Sequence, residues 1–355
     1  MTDTTAIPAL EVKDLQVDFS AQGGKVQAVR GVSFSVQPGE TLGIVGESGC
    51  GKSVTMMSLM GLIPMPPGRI VGGSAKLSGR EILHLPVAEL NKIRGVDIGM
   101  VFQDPMSALN PTMKIGEQIA ETLMVHKGMS KSAALKRAVE LLDRTKIPEA
   151  QKRAKQYPFE FSGGMLQRAV IAMSLACNPS VLIADEPTTA LDVTIQNQVL
   201  ELMRDIQKEE GMAIVLITHD LGVVARMADK VAVMYAGQIV ESGSAEDIFY
   251  RSAHPYTLGL KEAMPAPNMH VDERLVAIAG SPPDLFSPPL GCGYCSRCET
   301  AMSICNRQLP ELIAVGDAHQ SRCWHQHQMM DASVEGLFQP NYRTDRESSS
   351  SESAQ

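Results

Sequence analysis

The chain has 355 residues, enough for one large domain with a smaller appendage. Hydrophobic residues make up 44% and charged residues 20%, a balance that excludes a disordered chain. A formal charge of −8, with no dense Lys/Arg block, gives no attraction to nucleic acid or anionic lipid.

Residues 1–10 lack the basic-then-apolar pattern of a secretion signal, so a cytosolic chain is expected. The most apolar stretch, residues 54–65, is too short for a membrane span and contains Ser58, Gly61 and Pro64. Any membrane role therefore comes through a partner.

Leu15 to Phe19 and Val32 to Val36 alternate as half-buried strands do, with turns at Gly23-Gly24 and Pro38-Gly39. Thr41 to Val45 is a short apolar strand, Val54 to Leu62 a helix, and Asp97 to Phe102 another strand. Residues 115–178 read as mostly helical, with Ala133 to Leu142 clearly amphipathic. Val181 to Ala184 and Ala213 to Ile217 suit buried parallel strands, with a helix over Val193 to Gln207 between them. This order predicts an α/β fold on a parallel sheet. Lys230 to Val240 is strand-like again, and Ser244-Ala245-Glu246-Asp247 has the form of a capped helix start. Prolines crowd from Pro265 to Pro289, as in a linker or irregular subdomain. The polar residues after Gln339 have the composition of a disordered tail.

Chemistry enters between the first apolar strand and its helix. Gly46-Glu47-Ser48-Gly49-Cys50-Gly51-Lys52-Ser53 fits the phosphate-binding P-loop pattern in that context. Its glycines let backbone N–H groups approach phosphate oxygens, and the helix that follows presents its positive end to them. Lys52 is expected on the β- and γ-phosphates, and the Ser53 hydroxyl on Mg²⁺. Asp185, ending the strand from Val181, is the expected second Mg²⁺ anchor, and Glu186 the general base for the attacking water. Gln103 and His219 each follow an apolar strand, within reach of a γ-phosphate from neighbouring strand ends. These residues predict ATP binding and hydrolysis.

One further motif selects a family. Phe161-Ser162-Gly163-Gly164-Met165-Leu166-Gln167-Arg168 resembles the signature sequence of ABC ATPases, with Phe161 for the usual leucine and Met165 for the usual glutamine. Its Ser162-Gly163-Gly164 core, opening a helix, suits anion binding. The order of parts is also theirs. That resemblance makes Gln103 the Q-loop, contacting Mg²⁺ and the transport subunit, and Ala190-Leu191-Asp192 the D-loop. It makes His219 the holder of the γ-phosphate and attacking water. Phe19 falls where the family keeps an adenine-stacking aromatic, although a core role suits it equally.

Three longer stretches resemble the ATPases of dipeptide and oligopeptide importers: Phe102 to Pro111, Ala184 to Thr194, and His254-Pro255-Tyr256-Thr257. The implied fold is a RecA-like core, an antiparallel β subdomain, a helical signature subdomain and a small Cys-rich C-terminal extension. The expected boundaries are 8–262 for the ATPase domain, 263–328 for the extension and 340–355 for the tail. The implied partners are two transmembrane permease subunits, a second and different ABC ATPase subunit, and indirectly an extracytoplasmic substrate-binding protein. The implied location is peripheral, on the cytoplasmic face of the bacterial inner membrane. Nickel, glutathione or sugar remain open as cargo. A soluble ABC ATPase acting on DNA or ribosomes is the rival reading, against which stand the single cassette and the acidic balance.

Cys50 and Cys177 stand alone, whereas five cysteines crowd between Cys292 and Cys323. In a reducing compartment such a cluster suggests metal ligation more than disulfides. Cys292, Cys298, Cys305 and Cys323 match a motif that holds a [4Fe–4S] cluster in some peptide-importer ATPases. Cys295 is extra and makes zinc an alternative, with His319, His325 or His327 as further ligands. Plain buried thiols are the third reading.

Overall fold

The computed structural model describes residues 7–189, 191–264 and 277–327. β1 (Leu10–Ala21) and β2 (Gly24–Val36) form a hairpin that turns at Gly23, whose φ of +94° suits glycine. β3 (Thr41–Val45), buried throughout, leads through the glycine loop into α1 (Lys52–Leu59). The helix expected to reach Leu62 ends sooner, because Gly61 takes a left-handed φ of +58° just beyond it. β4 (Gly68–Leu77) and β5 (Arg80–Glu81) complete a four-stranded antiparallel sheet in the order β2-β1-β4-β5. α2 (Val87–Ile93) then precedes β6 (Ile98–Val101).

The helical region holds α3 (Pro105–Ala108), α4 (Ile115–Lys127), α5 (Lys131–Arg144), α6 (Ala150–Arg153) and α7 (Gly163–Ser174). In α5 the spacing of Ala134, Ala138, Leu141 and Leu142 places all four on one buried face. Next come β7 (Val181–Asp185), α8 (Val193–Glu210), β8 (Ala213–Thr218), α9 (Leu221–Met227), β9 (Lys230–Tyr235) and β10 (Gln238–Ser244). The capping box read at Ser244 is formed: its hydroxyl accepts from Asp247 N, opening α10 (Ala245–Tyr250). α11 (Pro255–Glu262) follows, and β11 (Ile313–Ala314) and β12 (Gln320–Ser321) come late in the chain.

The second sheet runs β11-β12-β10-β9-β3-β8-β7-β6, parallel from β9 to β6. Strand alternation divides its side chains between two cores. Leu182, Ala184, Ile214 and Leu216 pack among the helices, while Val181, Ile183, Val215 and Ile217 pack toward the antiparallel sheet. Because β3, β6, β7 and β8 are parallel, the residues that follow them emerge at one edge. That edge carries the P-loop, Gln103, Asp185-Glu186 and His219. Among the described residues no helix is long and apolar enough to cross a membrane.

The C-terminal extension shares the main sheet, since β12 pairs with β10 and β11 with β12. The buried carboxylate of Glu241 fixes that junction, accepting from Ala253 N (2.6 Å) and His254 N (3.0 Å) and meeting His319 Nε2 at 2.7 Å. Of the proline-rich stretch, residues 265–276 lie outside the described residues. The rest straps the first hairpin: Gln27 N donates to Leu285 O, Phe286 lies over Gly24, and Arg30 Nη2 donates to Pro289 O. The expected tail at 340–355 also lies outside the described residues.

Candidate active site

Tight backbone packing shapes the P-loop. Gly46 has φ +154°, and a Cβ there would stand 2.1 Å from Met234 O; at Gly51, φ +104°, it would stand 2.4 Å from Ala28 O. No side chain fits at either place. Gly49, also left-handed, faces open space, so its need for glycine is conformational and not one of packing. Lys52 is buried, and its Nζ donates to Gly46 O (2.7 Å) and Glu47 O (3.0 Å), which holds the ammonium against the loop it serves. Cys50 is buried in the core toward the antiparallel sheet, and burial raises the pKa of its thiol.

Ser53 Oγ donates to Asp185 Oδ1 at 3.0 Å, bringing together the two groups expected around Mg²⁺. Hard oxygen ligands, one hydroxyl and one carboxylate, fit that ion. Burial raises the pKa of Asp185, and the Ser53 hydrogen bond opposes the shift. A bound cation would favour the ionised form still more strongly.

One residue on, three elements converge on Glu186. Gln103 Nε2 donates to Oε2 (3.0 Å), Thr189 Oγ1 donates to the same oxygen (2.9 Å), and His219 Nδ1 lies 3.3 Å from Oε1. Glu186 itself has φ +47°, a left-handed conformation uncommon outside glycine, and its N–H is tied to Ile217 O at 2.9 Å. Such strain costs about 1–3 kcal/mol and is held where geometry matters for chemistry. Thr189 falls within the stretch from Ala184 to Thr194 but carries no expected role there. Its signal was its place three residues after Glu186, the spacing of one turn.

The other expected residues lie apart from this cluster. Ser162 caps α7, its hydroxyl accepting from Met165 N, with Gly163 and Gly164 as the first two helical residues. A Cβ on Gly164 would meet Ile195 Cγ2 at 2.6 Å, so glycine allows α7 to approach α8. Phe161 and Met165, the two departures from the usual signature, pack into or against the helical core. α7 packs against α3, α4, α5, α8 and β6, whereas α1 packs against β1 and β2, so signature and P-loop belong to different parts of the fold. Asp192 caps α8 by accepting from Ile195 N, while Ala190 lies outside the described residues. Phe19 is half-buried on β1, packed on the core with its ring edge near Gly68.

The thiols of the extension gather in one small region. Cys295 and Cys305 are core members there, with Cys292 against them. Cys323 is buried and electrostatically coupled to Cys292, Cys298 and Cys305. Burial pushes Cys292 up to about 11 and Cys323 up to about 12, while a hydrogen bond from Cys295 brings Cys305 down. Among the described residues, no three His, Cys, Asp or Glu side chains are grouped as a metal-ion site. Two zinc candidates are engaged elsewhere, His319 with Glu241 and His325 Nε2 with Thr300 O at 2.8 Å. The His327 ring lies tilted against Trp324, with 4.6 Å between ring centres.

A P-loop, a hydrogen-bonded Ser53–Asp185 pair and a glutamate met by three side chains, at the C-terminal edge of a parallel sheet, are the marks of a P-loop ATPase. Residues 29–189 match the ABC transporter family model, and residues 240–305 match the model described as oligopeptide/dipeptide transporter, C-terminal region. The oligopeptide transport ATP-binding protein OppD of Bacillus subtilis is 56% identical, covering 90% of this chain and 89% of its own length. The dipeptide transport ATP-binding protein DppD of the same organism is 52% identical, covering 92% and 97%. Among solved structures, the dimeric, post-hydrolysis ATP-binding cassette MJ0796 bound to ADP and Pi superposes with a TM-score of 0.60 at 28% identity, covering 66% of this chain and 98% of that one. The chain belongs to the ABC transporter ATPases, in the oligopeptide/dipeptide branch.

Proposed function

We propose that this chain is the ATP-hydrolysing subunit that energises import of oligopeptides or dipeptides through an ABC transporter. The carrying observation is the convergence of Gln103, Thr189 and His219 on Glu186, beside the Ser53–Asp185 pair. Peptide as cargo rests on the two relatives above and on the match over residues 240–305.

Residues 46–53 cradle the phosphates with backbone N–H groups, and Lys52 turns its ammonium to them. Ser53, Asp185 and Gln103 would hold Mg²⁺, which neutralises charge on the β- and γ-oxygens. Glu186 accepts the proton of the attacking water, and His219 and Gln103 orient that water and the γ-phosphate. Phe19 stacks on adenine. Ser162, Gly163 and Gly164 bind the γ-phosphate of the ATP held by a second ATPase subunit, a different chain, so each site is completed in trans. The ATPase pair rests on the cytoplasmic face of two permease subunits, which receive peptide from an extracytoplasmic binding protein.

For the thiols, the proposed reading is a [4Fe–4S] cluster on Cys292, Cys298, Cys305 and Cys323, where it supplies a rigid cross-link. The backbone tie from Cys292 N to Cys305 O (2.8 Å) supports this, as does the bond from Cys295 Sγ to Asn306 Oδ1 (3.1 Å), which leaves that thiol outside the set. Anaerobic purification should give brown protein with iron and sulfide; colourless, iron-free protein ends this reading.

The transport reading is tested by purifying the chain with its membrane partners. Co-purification with two hydrophobic permeases, and ATP turnover stimulated by peptide-loaded binding protein, is the expected result. Turnover stimulated only by another cargo class, or by nucleic acid, overturns it.

A further inference from the structure

One carboxylate of the P-loop has no part in the mechanism above. Glu47 is the second residue of a loop that binds a polyanion, and an ionised side chain there opposes phosphate binding. The structure shows how that charge is met. Arg297, from the stretch between Cys295 and Cys298, clamps it with a two-pronged ion pair: Nη1 to Oε2 at 2.6 Å and Nη2 to Oε1 at 2.9 Å. The Arg297 side chain is only 4% exposed. Its remaining hydrogen bonds fix the fork: Nε donates to Ala279 O (2.9 Å), Nη2 to Ile278 O (3.2 Å) and Nη1 to Tyr235 OH (3.2 Å). The guanidinium carbon stands 5.8 Å and 5.9 Å from the ring centres of Tyr235 and Tyr294. Tyr256 holds the backbone of the same loop residue, its hydroxyl accepting from Glu47 N at 2.9 Å.

We propose that Arg297 is a positioning residue of the ATP site: it cancels the charge of Glu47 and fixes the first half of the P-loop for phosphate binding, making the Cys-rich extension one wall of that site. The proposal rests on the reading of residues 46–53 as the ATP loop. A lysine cannot reproduce the clamp, because a single ammonium carries the charge without the planar fork.

The test is a double-mutant cycle on the full-length chain in its assembled transporter, reading KM for ATP and kcat, with MgATP Kd measured on the full-length chain. Arg297→Met should raise KM and Kd about ten-fold and leave kcat within about two-fold, the pattern of lost ground-state binding. Arg297→Lys should raise KM about three-fold. In a Glu47→Gln background, Arg297→Met should change KM by less than about two-fold, because no charge is left to cancel. Where the methionine variant is unstable, the lysine variant with and without Glu47→Gln carries the same comparison. An equal KM penalty with and without the Glu47 charge would overturn the proposal, as would a folded Arg297→Met with unaltered KM. Failure of the underlying reading looks different: MgATP would not bind the wild-type chain, or would bind Lys52→Ala equally well.

Discussion

Glu186, just after β7, and Glu47, in the P-loop, are treated in opposite ways. Glu186 is surrounded by groups that orient it: an amide, a hydroxyl and an imidazole. Glu47 is gripped by a guanidinium that removes its charge from consideration. A third carboxylate, Glu241 in β10, ties the extension to the sheet through two backbone N–H groups and His319. Of the three, only Glu47 meets a guanidinium; Glu186 and Glu241 are each held by uncharged donors and a histidine ring. The difference teaches that partner chemistry, more than proximity to the site, separates the carboxylate proposed as base from one whose charge is cancelled.

The sharpest way to break this contrast is Glu186→Gln. Amide for carboxylate keeps the shape and removes the base, so turnover in the assembled transporter should fall by about 10²–10⁴ while MgATP still binds. Measured in parallel, ATP binding and steady-state phosphate release decide it. A variant with near-wild-type turnover would show that another group accepts the proton. The left-handed φ of +47° at Glu186 is a backbone property and should persist in the variant, so the loss is chemical.

Glu241→Ala probes the third carboxylate. It leaves His319, Ala253 N and His254 N without their buried acceptor, at a cost of about 3 kcal/mol. The loss should appear as a lower urea midpoint and faster proteolytic release of the extension. Equal proteolysis of wild type and variant would mean that β12 and the tyrosine cluster hold the extension without this junction.

How far each region was legible follows from how its residues are spaced. The P-loop and the Asp185-Glu186 pair are contiguous strings on strand ends, so pattern and context identify them together. Gln103 and His219 could be placed because parallel strands deliver their ends to one edge. The clamp on Glu47 could not be read, because Arg297 is 250 residues away and nothing local marks it. β11 and β12, two residues each, are too short to show any alternation. The proline-rich stretch carries no signal of its partner either; Phe286 finds its seat over Gly24, far back in the chain.

The smallest expected effect sharpens the same contrast from the acid side. His254 sits beside the Glu241 junction, its Nδ1 accepting from Tyr256 N at 3.0 Å, and burial depresses its pKa to about 3. Unfolded, a histidine titrates near 6.5. Between those two values the unfolded chain binds a proton that the folded chain refuses, so stability falls as pH falls from about 6.5 toward 3. The slope from this one group approaches about 1.4 kcal/mol per pH unit. His254→Asn keeps an acceptor for the start of α11 and cannot be protonated, so the variant should lose less stability than wild type between pH 6.5 and pH 5. Urea melts at the two pH values measure the difference. Parallel slopes for wild type and variant would place the proton uptake elsewhere and separate the acid response of the extension from the Glu241 junction.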